Sequence, residues 1–272
     1  MNPLRRKLVL ATWTPPKEGN IYGKLTLDTT HAESYLKYIR QKTDQKVTLT
    51  HFIGRAIAEA ISRTPDVNGY IRWGKFIPHQ SVDVSFLIAL DGGNNLANTK
   101  IADAHTKSLV EVAAELRQAA QKSRSGEDES FNKSQDSLRW MPSWLIRPVV
   151  WLTGWLTSSL GISVPALGLE SFPFGVCMIT SVGMLGLDEA YAPHTPFARV
   201  PVIALIGACQ KQPVVIDDKL DIRPLLTLTA TIDHRYIDGS QAANLAKTIR
   251  QAFKEPWILD GLSEPPKDWL QE

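Results

Sequence analysis

Near the C-terminal end of the chain a histidine closes one apolar run and a glycine opens the next. The stretch is Asp233-His234-Arg235-Tyr236-Ile237-Asp238-Gly239. Before it, Leu225 to Ile232 is apolar and rich in β-branched residues, which reads as a strand. After it, Ser240 to Arg250 is rich in helix formers, with Asp238 or Ser240 available as N-cap. A strand that ends on His234 and turns through Gly239 into a helix holds an imidazole at an exposed, fixed point. The ordinary pKa of histidine lies near neutrality, so this group can act as a general base at physiological pH. On residue types alone the stretch also reads as a plain turn around an Asp-Gly pair.

A second chemical point is the end of a buried-type strand over Phe174 to Ser181, where two hydroxyls, Thr180 and Ser181, stand side by side. Period-two alternation sends them to opposite faces, so one at most serves a given site. Thr180 is also simply a β-branched residue suited to a strand.

Together these stretches resemble a known family. His-Arg-x-x-Asp-Gly after an apolar strand resembles the active-site motif of dihydrolipoamide acyltransferases. These form the inner-core catalytic domain of 2-oxoacid dehydrogenase complexes and share the chloramphenicol acetyltransferase fold. Met178 to Gly186 resembles that family's Thr-Ile-Ser-Asn-Leu-Gly-Met-Phe-Gly segment, and Phe52 to Asn68 its second helix and following turn. Lys107 to Ala113 resembles its Lys-Ser-Leu-x-Glu-Ile-Ala helix start, and Ile203 to Gly207 its Ala-Ile-Leu-Gly-Val strand. The segments fall in the family's order, and the likeness covers nearly all of the chain outside one insertion and the tail.

The resemblance implies an α/β fold (an α+β two-layer sandwich), with a mixed sheet, helices on one face and a homotrimeric assembly. It implies one catalytic domain over 1–272, with a Trp-rich insertion at about 138–169 and a C-terminal tail at 256–272. By the same likeness His234 is the base and Thr180, at the family's serine position, the oxyanion donor, with Ser181 as fallback. Asp238 is implied as a structural carboxylate that pairs with an arginine, for which Arg5 or Arg6 stands at the matching place. Arg235 is read as structural. The histidine and the hydroxyl would come from neighbouring subunits. Coenzyme A would be a substrate, with the lipoyl group supplied in trans by a carrier protein, since the chain starts at the catalytic domain. The chain departs from the family over Asn95 to Ile101, beside the acyl channel, and its tail is longer than the hook that joins trimers into large cores. An alternative reading is a non-catalytic trimeric scaffold of such an assembly.

The elements that must position these groups follow from periodicity. Strands are expected over Leu8 to Trp13, Ile21 to Asp28, Val67 to Trp73, Phe76 to Pro78, Val82 to Leu90, Val200 to Gln210, Pro213 to Ile216 and Leu220 to Ile232. Helices are expected over His31 to Lys42, Thr48 to Arg63, Lys107 to Ser123 and Ser240 to Phe253. In the second of these, Phe52, Ile53, Ala56, Ile57, Ala60 and Ile61 make one apolar stripe. Asp91 to Asn95 reads as a turn and Ser125 to Asp136 as a surface loop.

Leu138 to Leu169 has no counterpart in the family. It carries Trp140, Trp144, Trp151 and Trp155, half of the eight tryptophans, and Trp144 to Ile162 holds a single charge, Arg147. The first reading is a helical flap on its own trimer. A segment lying in a membrane interface is the second, and a partner-docking helix the third. Pro148, Gly154 and Thr157-Ser158-Ser159 speak against a membrane span.

Composition sets outer bounds. A chain of 272 residues with 43% hydrophobic content can bury a sizeable core. The net charge of +2 gives no broad basic face, so a nucleic-acid partner is not expected. Cys177 and Cys209, both in apolar runs, are expected to be buried free thiols. His31, His51, His79, His105 and His194 lack the paired spacing of a metal site, and none is expected. The basic start is followed by too short an apolar run for a signal peptide, which leaves the cytoplasm as the default location.

Overall fold

The computed structural model describes residues 7, 12, 19–90, 95–125, 141–267 and 269. The expected strand over 8–13, most of the expected loop at 125–136, the centre of the turn at 91–95, Arg5, Arg6 and Trp140 lie outside these, apart from single positions.

In chain order the elements are β1 (Asn20–Asp28), α1 (Thr30–Thr43), α2 (Leu49–Ser62), β2 (Gly69–Arg72), β3 (Lys75–Pro78), β4 (Val84–Leu90) and β5 (Asn95–Ile101). Then follow α3 (Leu109–Ser125), α4 (Ser143–Ser158), β6 (Cys177–Ser181), β7 (Val202–Ile216), β8 (Lys219–Asp233) and α5 (Gly239–Lys254). Six strands form one sheet in the order β1-β8-β7-β6-β4-β5, and β2 and β3 form a separate hairpin. The β4–β6 and β6–β7 pairs are parallel and the rest antiparallel, so the sheet is mixed.

The main core lies between one face of this sheet and the helices. Phe52 and Ile53 of α2, Val112 of α3 and Phe253 of α5 meet Ile179 of β6 and Leu228 of β8 there. Burying each such side chain contributes about 1.5–3 kcal/mol. Gly54 is required by this contact, because a Cβ at that position would lie 2.1 Å from the buried Phe86 ring. A smaller cluster, Met178, Ile203 and Leu205 under Ala198 and Val200, covers the opposite face. Alternation along β6 therefore puts Cys177 and Ile179 on the helix side and Met178 and Thr180 on the other.

Two expectations need correcting. The two strands expected over 200–216 are one, β7, with a bulge between Ile206 and Cys209. Pro213 is tolerated inside it because β6 stops at Ser181, opposite Ile206, so beyond that point β7 has, among the described residues, a strand neighbour on one side only. For the same reason Cys209 is exposed, while Cys177 is buried and its thiol pushed up to about 12 by desolvation. Asn95 to Ile101 is an edge strand, paired along its length with β4. The hairpin turn at Asp217-Asp218 is as expected, with both residues at positive φ (49° and 61°), the form that matches strand twist.

The insertion contains α4, a 16-residue helix with Pro148 inside it. Among the described residues no helix is long and apolar enough to cross a membrane. The tail folds back, and Trp269 packs edge-on against Trp257, Tyr35 and His31.

Candidate active site

The ladder between β8 and β1 runs to its last pair, Asp233 with Asn20, and one more bond carries it on, from His234 N to the Gly19 carbonyl at 2.9 Å. The chain then curls. Tyr236 N and Ile237 N both donate back to the Asp233 carbonyl, at 3.0 and 3.3 Å. Two buried side chains pin the curl, since Ile237 is in the core and the Tyr236 ring packs edge-on to Phe76 of the β2–β3 hairpin. Burial pushes the Tyr236 phenol up, and a hydrogen bond with the Ile71 backbone opposes that shift.

A fork closes the base of the loop. The buried Asp233 carboxylate accepts from Arg235 N at 3.0 Å and from Arg235 Nε at 3.0 and 3.1 Å, with Nη2 of the same guanidinium on its second oxygen. Arg235 thus holds backbone geometry on either side of His234, in keeping with its reading as structural.

The His234 side chain is exposed, and its Nδ1 lies 2.8 Å from the Ile237 carbonyl. A carbonyl can only accept, so Nδ1 carries the hydrogen and Nε2 keeps its lone pair for a proton from elsewhere. The imidazole is therefore held in one tautomer, with an unprotonated Nε2 on an exposed side chain.

Asp238 ends the loop as the N-cap of α5. Its Oδ1 accepts from Ser240 N and Ser240 Oγ, both at 2.8 Å, and from Gln241 N at 3.2 Å. Gln241 Oε1 accepts in turn from Asp238 N at 2.8 Å, completing a capping box. The bonds from Ser240 and Gln241 hold the Asp238 carboxyl below its usual range, and His234 acts in the same direction.

Thr180 is not in this cluster. It pairs with Leu205 on β7, and Leu205 with Thr229 on β8, well short of His234 along the strand. Two strand spacings sideways and five residues along place Thr180 and His234 on the order of 20 Å apart within one chain. Ser181 lies on the opposite face from Thr180. The structure thus brings His234 and Asp238 together and leaves Thr180 two strands away, level with Thr229.

The sequence reading missed the Ile237 carbonyl, because a main-chain acceptor leaves no mark in residue type. It also missed the Asp233–Arg235 fork, for which opposite charges two residues apart were the available signal.

The family described as 2-oxoacid dehydrogenases acyltransferase (catalytic domain) matches residues 21–132 and 166–259. The chain belongs to this family. The match is interrupted at 133–165, the stretch that holds α4. The dihydrolipoyllysine-residue acetyltransferase component of the Zymomonas mobilis pyruvate dehydrogenase complex is 23% identical over 92% of this chain and 48% of its own length. The succinyltransferase component of the Haemophilus influenzae 2-oxoglutarate dehydrogenase complex is 23% identical over 93% of this chain and 50% of its own. The chain thus spans about half the length of the curated relatives it matches. A probable dihydrolipoamide acetyltransferase from Listeria monocytogenes superposes with a TM-score of 0.67 at 20% identity, covering 94% of this chain and 93% of that one. Chloramphenicol acetyltransferase superposes with a TM-score of 0.50 at 10% identity, covering 92% and 94%. These likenesses establish the fold of a family member, a mixed sheet with helices on one face.

Proposed function

We propose that this family member is a coenzyme A-dependent acyltransferase, moving an acyl group between coenzyme A and a lipoyl-type thiol on a carrier protein. Thiols with pKa near 8.5 are mostly protonated at neutral pH, so the attacking thiol needs a base. His234 Nε2 takes that proton. The thiolate attacks the thioester carbonyl, and the Thr180 hydroxyl donates to the oxyanion that forms. When the intermediate collapses, the departing thiolate recovers the proton from His234. Asp238 and Arg235 hold the loop and do not relay protons. No metal takes part in this scheme. The relatives' names include an acetyltransferase and a succinyltransferase, which supports acyl transfer as the reaction class and leaves the acyl group open.

The observation that carries this reading is the hydrogen bond from His234 Nδ1 to the Ile237 carbonyl, which leaves Nε2 free on an exposed ring. The long in-chain path from Thr180 to His234 supports a homotrimer, with each site built from two neighbours. Two free thiols, one of them exposed, support a reducing, cytoplasmic location. The test is acyl release from a panel of coenzyme A thioesters with dihydrolipoamide as acceptor. His234→Ala is expected to lower kcat by about 10²–10⁴-fold, the usual worth of a general base, without changing the oligomer. Turnover that survives the substitution removes His234 as the base.

A further inference from the structure

Helix α4 is apolar on its exposed face as well as its packed one. Ile146 is wholly buried, Gly154 lies so close to the Phe197 backbone that a Cβ would meet its carbonyl at 2.5 Å, and Phe172 N donates to the Thr157 carbonyl at 3.2 Å. These contacts fix which face turns outward. That face carries Trp144, Arg147, Pro148, Trp151 and Leu152 at helical spacing, with the half-buried Trp155 continuing it. Trp144 is 76% exposed and Trp151 57%. A packing face would be turned inward; here the large apolar groups are presented.

A second element, distant in sequence, brings the same chemistry to the same place. The tip of the β2–β3 hairpin is Trp73-Gly74, and Trp73 is 77% exposed, with its ring edge-on to Trp155 at 6.2 Å. Trp73 has φ +53°, a left-handed conformation that Asn or Asp takes with far less strain than an indole. Arg72 and Lys75 flank it. Over 69–78 and 143–169 there are basic residues and no Asp or Glu.

We propose that this surface docks the protein on an anionic phospholipid bilayer. Tryptophans prefer the headgroup level, and an exposed indole–leucine face on two segments whose charges are Arg72, Lys75 and Arg147 suits the interface of a negatively charged leaflet. A 16-residue helix is about 24 Å long, short of the roughly 30 Å hydrocarbon core, so it lies in the interface and does not cross it. One pair back from Arg72 and Lys75 at that tip, Phe76 of the same hairpin packs edge-on to Tyr236 of the histidine loop, so the docked surface and His234 are joined through the hairpin.

The test is flotation of the full chain with vesicles of phosphatidylcholine plus phosphatidylserine, and with phosphatidylcholine alone. The chain is expected to float with the mixed vesicles, less so with the neutral ones, and less at raised salt. Trp144→Ser with Trp151→Ser is expected to cut the bound fraction at least ~tenfold, and Trp73→Asn to weaken it independently. Oligomeric state, melting temperature and turnover of soluble substrates should be unchanged, which separates this inference from the proposed acyl transfer. Absence of flotation with the mixed vesicles overturns the proposal, as does flotation that the double variant does not reduce. Dissociation of the free oligomer by the double variant also overturns it, by showing that a second copy covers the face.

Discussion

Asp238 shows how one carboxylate does two jobs at a single residue. Its oxygen satisfies the first free N–H groups of α5, and its position fixes where the loop carrying His234 must end. An amide oxygen can accept the same bonds, so Asp238→Asn is expected to keep most of the turnover, while Asp238→Ala loses the cap, lowers the melting temperature and lowers kcat. The pH response distinguishes charge from geometry. The folded carboxyl sits below its usual value, so its contribution is fully present above the ordinary aspartate range near pH ~4 and is lost as pH falls through the lowered folded value. Melting curves between neutral and acid pH should show this loss in the native protein, and Asp238→Asn should remove that part of it. If Asp238→Ala keeps both stability and kcat, the cap does not position the histidine.

At the scale of elements, the start of α2 carries a second capping box with a titratable member. Thr48 N donates to His51 Nδ1 at 3.1 Å, and the Thr48 side chain accepts from the His51 backbone. Burial lowers the His51 pKa to about 4, and the positive charges of Arg117 and Arg40 push the same way. The cap needs the neutral ring, whereas the unfolded chain takes up a proton near pH 6.5. Stability from this group is therefore complete above about pH 6.5 and falls as pH drops toward 4. Between pH 7 and about pH 5 the loss should be on the order of 2 kcal/mol, read by denaturant unfolding. His51→Gln keeps a side-chain acceptor at the third helical position and should flatten that slope.

The elements that were legible in the sequence share a reason. α2 and α5 have unbroken apolar spacing, and α2 follows a capping residue, so local chemistry agrees with global packing. What was not legible depended on neighbours. A proline divides the pattern of β7 at Pro213, yet the strand runs through because no described strand pairs on that side of it. Cys209 looked buried because its run is apolar, but burial there requires a sixth strand longer than five residues. The site divides in the same way. His234 and Asp238 were readable as a motif, while the carbonyl that orients the ring and the side of the sheet on which Thr180 falls are properties of the folded chain.

For the whole molecule, the separation of Thr180 from His234 becomes a statement about assembly. If each catalytic centre takes its histidine from one protomer and its hydroxyl from the next, two inactive variants can rescue each other. His234→Ala chains still present Thr180, and Thr180→Val chains still present His234. Unfolding and refolding an equal mixture should form mixed trimers by chance, in which about a quarter of the interfaces hold both native groups. Turnover should then rise from near zero to about a quarter of the native rate, while each variant refolded alone stays inactive. A site contained in one chain gives no such rise at any mixing ratio, because every chain in the mixture lacks one of its two groups. The rescue also depends on how the chains meet: the same two variants folded separately and mixed afterwards should regain activity only as fast as trimers exchange subunits. The time course of rescue therefore reports the lifetime of the assembly, and its amplitude reports whether the histidine of one chain serves the hydroxyl of another.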